Sequence, residues 1–340
     1  MAETASAQSP VAMPPQVHIL EIIRGFWQSR TLAIAAELEI ADLLADGPLS
    51  IDVLAERSKT HAPSLFRMMR ALESVGIFTQ TSPRVFANTP YSECLRKGVP
   101  GSMWAFVRTI LSTGFGQYDS WAEFLYSVQT GKTGMAKLYG YGPWEFFTTR
   151  PEIWEIFNQA MRAASALITP AVAAAYDWSR FPVIADIGGG IGTQLVAILD
   201  AHQSSRGILF DAPTVVAGAL PHDRIERVGG DFFKSVPADA DAYTMRWILH
   251  DWLDPEALAI LGNIRKAVKP ESRVVLIEEL IPDTPDLTWS KWIDLHMLCV
   301  TGGRERTVAE YAELYAKSGF ELQEVIPTIS GASLIIGRPR

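Results

Sequence analysis

The chain is poor in cysteine, in histidine and in excess positive charge, and it has no long apolar run. Two cysteines in 340 residues, Cys94 and Cys299, form no CxxC, no metal-ligand spacing and no disulfide framework. This fits a reducing compartment, and the cytoplasm is the expected location. Lys and Arg number 30 against 38 Asp and Glu, for a net charge of −8 and a pI near 5.4. A protein that grips nucleic acid through its phosphates would carry the opposite balance, so that partner is not expected. No uninterrupted apolar run is long enough to span a bilayer, and no membrane partner is expected. Residues 1–16 lack a basic start followed by an apolar stretch and read as a loose tail.

Apolar residues make up 48% and charged residues 20%, enough for a large core, and the length suggests two domains. Over 17–100 the pattern is helical. Apolar positions recur at helical spacing in 19–23 and 32–44, Ser50 can cap a helix over 51–58, and another helix covers 63–75. Ile77-Phe78 and Val85-Phe86 flank a Ser82-Pro83 turn, which predicts two short strands. Helices followed by a small hairpin outline a winged helix. Lys and Arg equal Asp and Glu in number over this stretch, so it lacks the electrostatic footprint of a DNA reader. Its apolar stretches suit pairing with a second copy.

Residues 101–180 carry many aromatics and no strand alternation. Helices are expected there, one over 151–164 and another over 169–176. The texture changes from 181 to 340. β-rich runs at 183–187, 207–210, 242–245 and 274–278 alternate with helical stretches, which argues for βαβ units and a parallel sheet. Two further strands, 320–326 and 333–337, close the chain. The fold class is therefore α/β, a Rossmann-like sheet behind a mainly helical first domain.

The run 183–193 reads as strand, tight turn, helix. Gly188, Gly190 and Gly192 let the backbone turn sharply and approach a ligand. The third position of the dinucleotide fingerprint falls on Thr193, not on Gly or Ala. Asp186, two residues before the first glycine, would repel a pyrophosphate but suits a ligand bearing an ammonium or sulfonium. Asp211 ends the next strand, where an acid can accept both ribose hydroxyls. Asp231 can take an adenine amino group, with Phe232 covering the ring. Each acid alone is commonly a solvated strand end. Three in succession behind a glycine turn point to an adenosine carrying a positive, pyrophosphate-free group.

The most specific segment is 243–252, Tyr-Thr-Met-Arg-Trp-Ile-Leu-His-Asp-Trp. It resembles the signature of the caffeate, isoflavone and hydroxyindole O-methyltransferase family of class I S-adenosylmethionine-dependent enzymes, in its bacterial natural-product form. The glycine loop, Asp211-Ala-Pro213, Gly230-Asp-Phe232, His250-Asp-Trp252, Glu278 and the run 302–307 fall in that family's order. Phe157-Asn158 with Met161 matches its upstream motif. The resemblance implies a Rossmann-like methyltransferase domain over 101–340 and a winged-helix dimerisation domain over 17–100. It implies S-adenosylmethionine as cofactor, held by Gly188, Asp211, Asp231 and Phe232. Arg246 is expected there too, standing where many members have Lys.

The same resemblance makes His250 the general base, with Glu278 orienting its ring and Glu305 supporting it from the opposite side. Met161, Ser165, Trp247, Trp252, Met297 and Leu298 are expected to line a pocket for a small hydroxylated aromatic, although Met and Trp stripes also serve as plain core. His296 is the rival base. The family pattern turns it away from the pocket, so surface or packing is expected for it. Carboxylates stand at Asp251, Glu278, Glu279 and Asp294, but no spacing demands an ion and the resembled family uses none. A homodimer is implied, joined through the first domain, which also closes part of the partner's pocket. Other chemistry on the same cofactor, methylation of a ring nitrogen, and a ligand-sensing regulator remain the alternatives.

Overall fold

The computed structural model describes residues 14–340. Residues 1–13 of the expected tail lie outside the described residues, and its last part is helical, because a helix starts at Pro15. The chain divides into two compact units, Met1–Ser112 and Thr113–Arg340. The break lies later than the expected boundary at 100 because the helix Trp104–Leu111 packs with the first unit, where the Trp104 indole N–H donates to Ala36 O at 2.9 Å.

In the first unit the helix Pro15–Glu37 opens on a proline, whose fixed φ suits a first turn. Its repeat does not run on through 44 as one helix. Glu39 adopts φ 54 and separates the short helix Ile40–Leu43. Ser50 caps Ile51–Ser58 as expected, its Oγ accepting from the Val53 N–H. The helix Ala62–Glu73 follows. Strands β1 (Leu49–Ser50), β2 (Phe78–Ser82) and β3 (Val85–Asn88) form an antiparallel sheet in the order β1-β3-β2.

The second unit is built on seven strands: β4 (Val183–Ile187), β5 (Arg206–Asp211), β6 (Ile225–Gly229), β7 (Ala242–Arg246), β8 (Arg273–Glu279), β9 (Phe320–Pro327) and β10 (Ala332–Pro339). Their order is β6-β5-β4-β7-β8-β10-β9, parallel from β6 to β8 and antiparallel beyond. Strand order reverses at β4, so a crevice opens between the carboxyl ends of β4 and β7.

Alternation assigns side chains to the two faces. Val183, Ala185 and Ile187 join one core cluster with Tyr243, Met245, Val274 and Leu276. Ile184, Ala242, Val275 and Ile277 join the cluster on the other face. The same period sends Asp186 and Glu278 to opposite faces of the sheet. The helices expected over 151–164 and 169–176 are one helix, Pro151–Ala175, running through Pro170. Proline costs an interior hydrogen bond. Burial of Ile168, Val172 and Ala173 against the sheet offsets that loss.

Candidate functional site

The crevice is floored by the glycine loop. β4 is buried along its whole length, and the chain turns at its end through Gly188 (φ 70) and Gly190 (φ 63). A Cβ on Gly188 would lie 2.5 Å from Ile248 Cδ1, whereas one on Gly190 would meet nothing within 4 Å. The first glycine therefore admits the turn bearing the histidine motif, and the second leaves open space beside the loop. The helix Thr193–Ala201 follows, with its first N–H groups at the loop.

Asp186 is 1% exposed. Its Oδ1 accepts from Thr244 Oγ1 at 2.7 Å, while its Oδ2 is buried without a partner. Burial raises its pKa to about 6. Asp186, Gly188, Gly189, Gln194 and Arg246 line a small recess. An orphaned buried carboxylate oxygen in such a recess fits an ammonium donor, the group that S-adenosylmethionine carries on its amino-acid arm.

Asp211 reaches the same loop. Its Oδ2 accepts from the Gly190 N–H at 2.8 Å and its Oδ1 from the Ala212 N–H at 2.7 Å. Burial raises its pKa. It therefore braces the glycine loop in addition to any ribose contact. Asp231 is exposed beyond β6 and accepts from the Phe233 N–H at 2.9 Å. The Phe232 backbone is tied down by Asn263, whose Nδ2 donates to its carbonyl at 2.9 Å.

Arg246 is drawn into a buried network. Its Nη1 donates to Thr169 Oγ1 and Gln194 Oε1, both at 2.9 Å, and its Nη2 donates to Ser165 Oγ at 2.6 Å. Burial lowers its pKa, opposed by the nearby Asp186. Ser165, expected to line the acceptor pocket, thus spends its hydroxyl on Arg246. Thr169, Gln194 and Thr244 complete this region; Thr244 lies within the 243–252 motif, and no motif singled out Thr169 or Gln194.

Trp252 lies among aromatic rings. It packs edge-on to Phe233, with ring centroids 4.8 Å apart, and to Phe232 at 6.4 Å. It belongs to the aromatic group on the Asp231 side. Met161 is half-buried one turn before Ser165, and Met297 is buried on the helix Trp289–Val300. Trp247 sits at φ 53, beneath the Arg246 guanidinium.

His250 lies on the short turn Leu249–Asp251 after β7. Its Nδ1 is 2.7 Å from Glu305 Oε1, so the carboxylate accepts the Nδ1–H. Glu278 stands 4.0 Å from the same nitrogen, beyond hydrogen-bond reach, so Glu305 and not Glu278 makes the hydrogen bond to the ring. Glu278 Oε1 instead accepts from the Ile248 N–H at 3.2 Å and the Leu249 N–H at 3.0 Å, fixing the turn rather than the ring. Nε2 faces Asp251 Oδ1 at 3.9 Å and has no closer acid among the described residues.

Burial opposes charge on the ring, but Glu305, Glu278 and Asp251 outweigh it and push its pKa up to about 10. Burial also raises Glu278, Asp251 (to about 6) and Glu279 (to about 7).

A second clamp went unrecognised in the sequence. Arg306, 0% exposed, donates to Leu249 O and Trp252 O, both at 2.9 Å, and to Asp254 Oδ1 at 2.8 Å. The Arg304 N–H donates to His250 O at 2.8 Å, and the Glu305 N–H to Asp294 Oδ1 at 2.9 Å. An arginine beside Glu305 in the run 302–307 was the available signal.

His296 is a packed residue and not a surface one. The Trp121 indole donates to its Nδ1 at 3.0 Å, so Nε2–H donates to Gln117 Oε1 at 2.9 Å. With both nitrogens engaged, and burial lowering its pKa to about 4, it is a neutral structural group.

Comparison with known proteins identifies the family of the chain. The profile of a family described as O-methyltransferase domain covers residues 121–321, and that of the O-methyltransferase dimerisation domain covers 20–98. A phenazine O-methyltransferase of Lysobacter antibioticus is 41% identical over 96% of this chain and 97% of its own. The mitomycin biosynthesis 6-O-methyltransferase of Streptomyces lavendulae is 34% identical over 93% and 92%. Not every relative methylates oxygen: a phenazine-1-carboxylate N-methyltransferase of Pseudomonas aeruginosa is 30% identical over 91% and 93%. Among solved structures, an O-methyltransferase from neocarzinostatin biosynthesis, in complex with S-adenosylmethionine and 2-hydroxy-5-methyl naphthoic acid, superposes with a TM-score of 0.79. It is 30% identical over 92% of this chain and 96% of its own.

Proposed function

Because the chain belongs to the O-methyltransferase family, we propose that His250 acts as general base on a hydroxyl of a small aromatic or enolic secondary metabolite. The enzyme is an S-adenosylmethionine-dependent methyltransferase. When bound, that cofactor supplies a methyl group already activated by its positive sulfur. The residues have to align the acceptor oxygen, exclude water and take up a proton. Asp186, Gly188, Asp211, Asp231, Phe232 and Arg246 would hold the cofactor. The unpartnered Asp186 Oδ2 would meet its ammonium.

The observation that carries the base assignment is the His250–Glu305 bond. It commits Nδ1–H to the carboxylate and leaves the lone pair of the neutral ring on Nε2. A plain phenol titrates near 10 and a free imidazole near 6.5, so their proton transfer runs uphill by about 5 kcal/mol. The carboxylates around His250 remove most of that difference by bringing the ring to about 10. The raised value also means that the ring holds a proton at neutral pH. The form able to accept one grows as pH rises toward 10, and turnover should rise with it. Acceptors acidic enough to arrive ionised need less help.

The relatives named above support a ring-bearing hydroxylated acceptor, with Met161, Trp247 and Met297 near it. The nitrogen-methylating relative keeps a ring nitrogen as the second reading. The deciding experiment incubates the purified enzyme with S-adenosylmethionine and a panel of hydroxylated aromatics and heteroaromatics. Mass spectrometry follows the added methyl and NMR locates it. An O-methyl product that His250→Ala cannot form is expected. An N-methyl product, or normal turnover by the variant, would defeat this reading.

The first unit, helices with a three-stranded sheet, is read as a winged helix that joins two copies. On Pro15–Glu37 the side chains of Leu20, Ile22, Phe26 and Trp27 are all more than half exposed, an apolar face suited to a second copy. Sedimentation should give a dimer, and a monomer would overturn this. Both cysteines are free, consistent with the cytoplasm. No helix among the described residues is long and apolar enough to cross a membrane.

A further inference from the structure

On its Nδ1 side, the His250 ring faces two carboxylates that are not fully used. Glu278 and Glu305 are 0% and 1% exposed, and each leaves its Oε2 buried without a hydrogen-bond partner. One ligand atom from each of His250, Glu278 and Glu305 lies within 4.8 Å of the others, the one such group of metal-ligating side chains found among the described residues. We propose that these three residues are also a binding site for a divalent transition-metal ion, zinc fitting best, whose occupancy switches the transferase off.

The donor set is one imidazole nitrogen and two carboxylates, which suits zinc. Zinc bonds of about 2.0–2.2 Å in tetrahedral geometry place donor atoms roughly 3.4 Å apart. The present separations, 2.7 Å from Nδ1 to Glu305 Oε1 and 4.0 Å from Nδ1 to Glu278 Oε2, bracket that spacing. Small opposite shifts would meet it. The two carboxylates balance the charge of the ion. Glu278 can bind through Oε2 while Oε1 keeps the Ile248 and Leu249 N–H groups. Calcium and magnesium want six or more oxygens, several from water, and this buried corner offers too few.

The inhibitory sign follows from the tautomer. An ion on Nδ1 displaces the hydrogen that Glu305 now accepts; that proton moves to Nε2, so the ring stays neutral with its one N–H there. A ring that donates from Nε2 cannot accept a proton there. This last step rests on the assignment of His250 as base, whereas binding does not.

The test uses the full chain after treatment with a chelator. Zinc is titrated by calorimetry without substrate, and cobalt is followed by its visible absorption bands. Methyl transfer and cofactor affinity are then measured against metal occupancy. Zinc should bind at one equivalent at this site and suppress transfer in step with occupancy. Cofactor affinity should stay unchanged, and EDTA should restore activity. Glu278→Gln keeps an oxygen for the two backbone N–H groups and loses the ligand, so zinc affinity should fall at least about 10-fold. Glu305→Gln provides a second variant should the first not fold. Absence of binding, or binding unchanged in both folded variants, would overturn the site whatever His250 does. Stoichiometric binding with undiminished transfer would overturn the switch. Normal transfer by metal-free His250→Ala would defeat the base assignment instead.

Discussion

Gly303→Ala tests whether the turn bearing His250 is held as tightly as its contacts imply. A Cβ at Gly303 would lie 1.9 Å from His250 O, 2.4 Å from Asp251 C and 2.7 Å from Asp251 Cα. All three are backbone atoms, so no side chain can swing aside. Reaching an allowed contact near 3.0 Å requires the two segments to part by about 1 Å, and the Arg304 N–H bond to His250 O breaks or stretches. Overpacking costs roughly 1–3 kcal/mol and the lost hydrogen bond about 1 kcal/mol. Together they predict a fall in Tm of roughly 5–15 °C.

Catalysis should suffer more than binding. Glu305 follows two residues later, and its bond to Nδ1 sets the ring. A displacement of about 1 Å at a reacting group costs on the order of 100-fold in rate. Single-turnover transfer of a labelled methyl group measures that loss, and calorimetry checks that cofactor affinity is kept. Gly262→Ala is the control. It sits in the helix Asp254–Ala267 with nothing within 4 Å of the added Cβ, so it should stabilise by about 0.5–1 kcal/mol and leave the rate alone. A folded Gly303→Ala enzyme within about threefold of the parent rate would refute the positional argument.

His250→Ala should abolish turnover with cofactor affinity intact, and near-normal transfer would place the base elsewhere. Asp211→Asn should weaken cofactor binding by at least about 10-fold, through a lost charged acceptor and a looser Gly190; an unchanged calorimetric affinity would sink the ribose assignment. Arg306→Met leaves the carbonyls of Leu249 and Trp252 without their donor, so it should destabilise by roughly 3 kcal/mol in denaturant titration; an unchanged midpoint would mean the clamp is idle. His296 is held neutral, with its pKa depressed to about 4. The unfolded chain therefore binds a proton below about 6.5 that the folded one refuses, costing up to about 3 kcal/mol between pH 6.5 and 4. His296→Gln should lack that share of the acid-side loss, and identical stability-pH curves for parent and variant would count against it.

Local patterns carried much of the architecture. The strand 183–187, the Ser50 cap and the alternation of strands with helices were readable because each depends on periodicity or on one nearby hydrogen bond. The long helix Pro151–Ala175 was not. Pro170 is a valid local stop signal, and only burial of Ile168 and Val172 against the sheet overrides it. The break at Glu39 was also invisible, since its apolar neighbours keep a helical period across a residue with positive φ.

At the site, the sequence by itself determined the chemical inventory: a glycine turn, three acids behind it, and a histidine with two distant glutamates. Tertiary structure decided which partner each took. Glu278 and Glu305 are interchangeable as letters. Glu278 sits on β8, whose register carries it under the Ile248 and Leu249 N–H groups. Glu305 lies on a loop that Arg304, Arg306 and Asp294 pin against the His250 turn. Arg246 likewise took Ser165, Thr169 and Gln194 as its partners at the edge of the recess. Sequence spacing encodes which face a side chain occupies. Which of several matching groups it meets there depends on strand register and loop path, and those are set by packing across the whole domain.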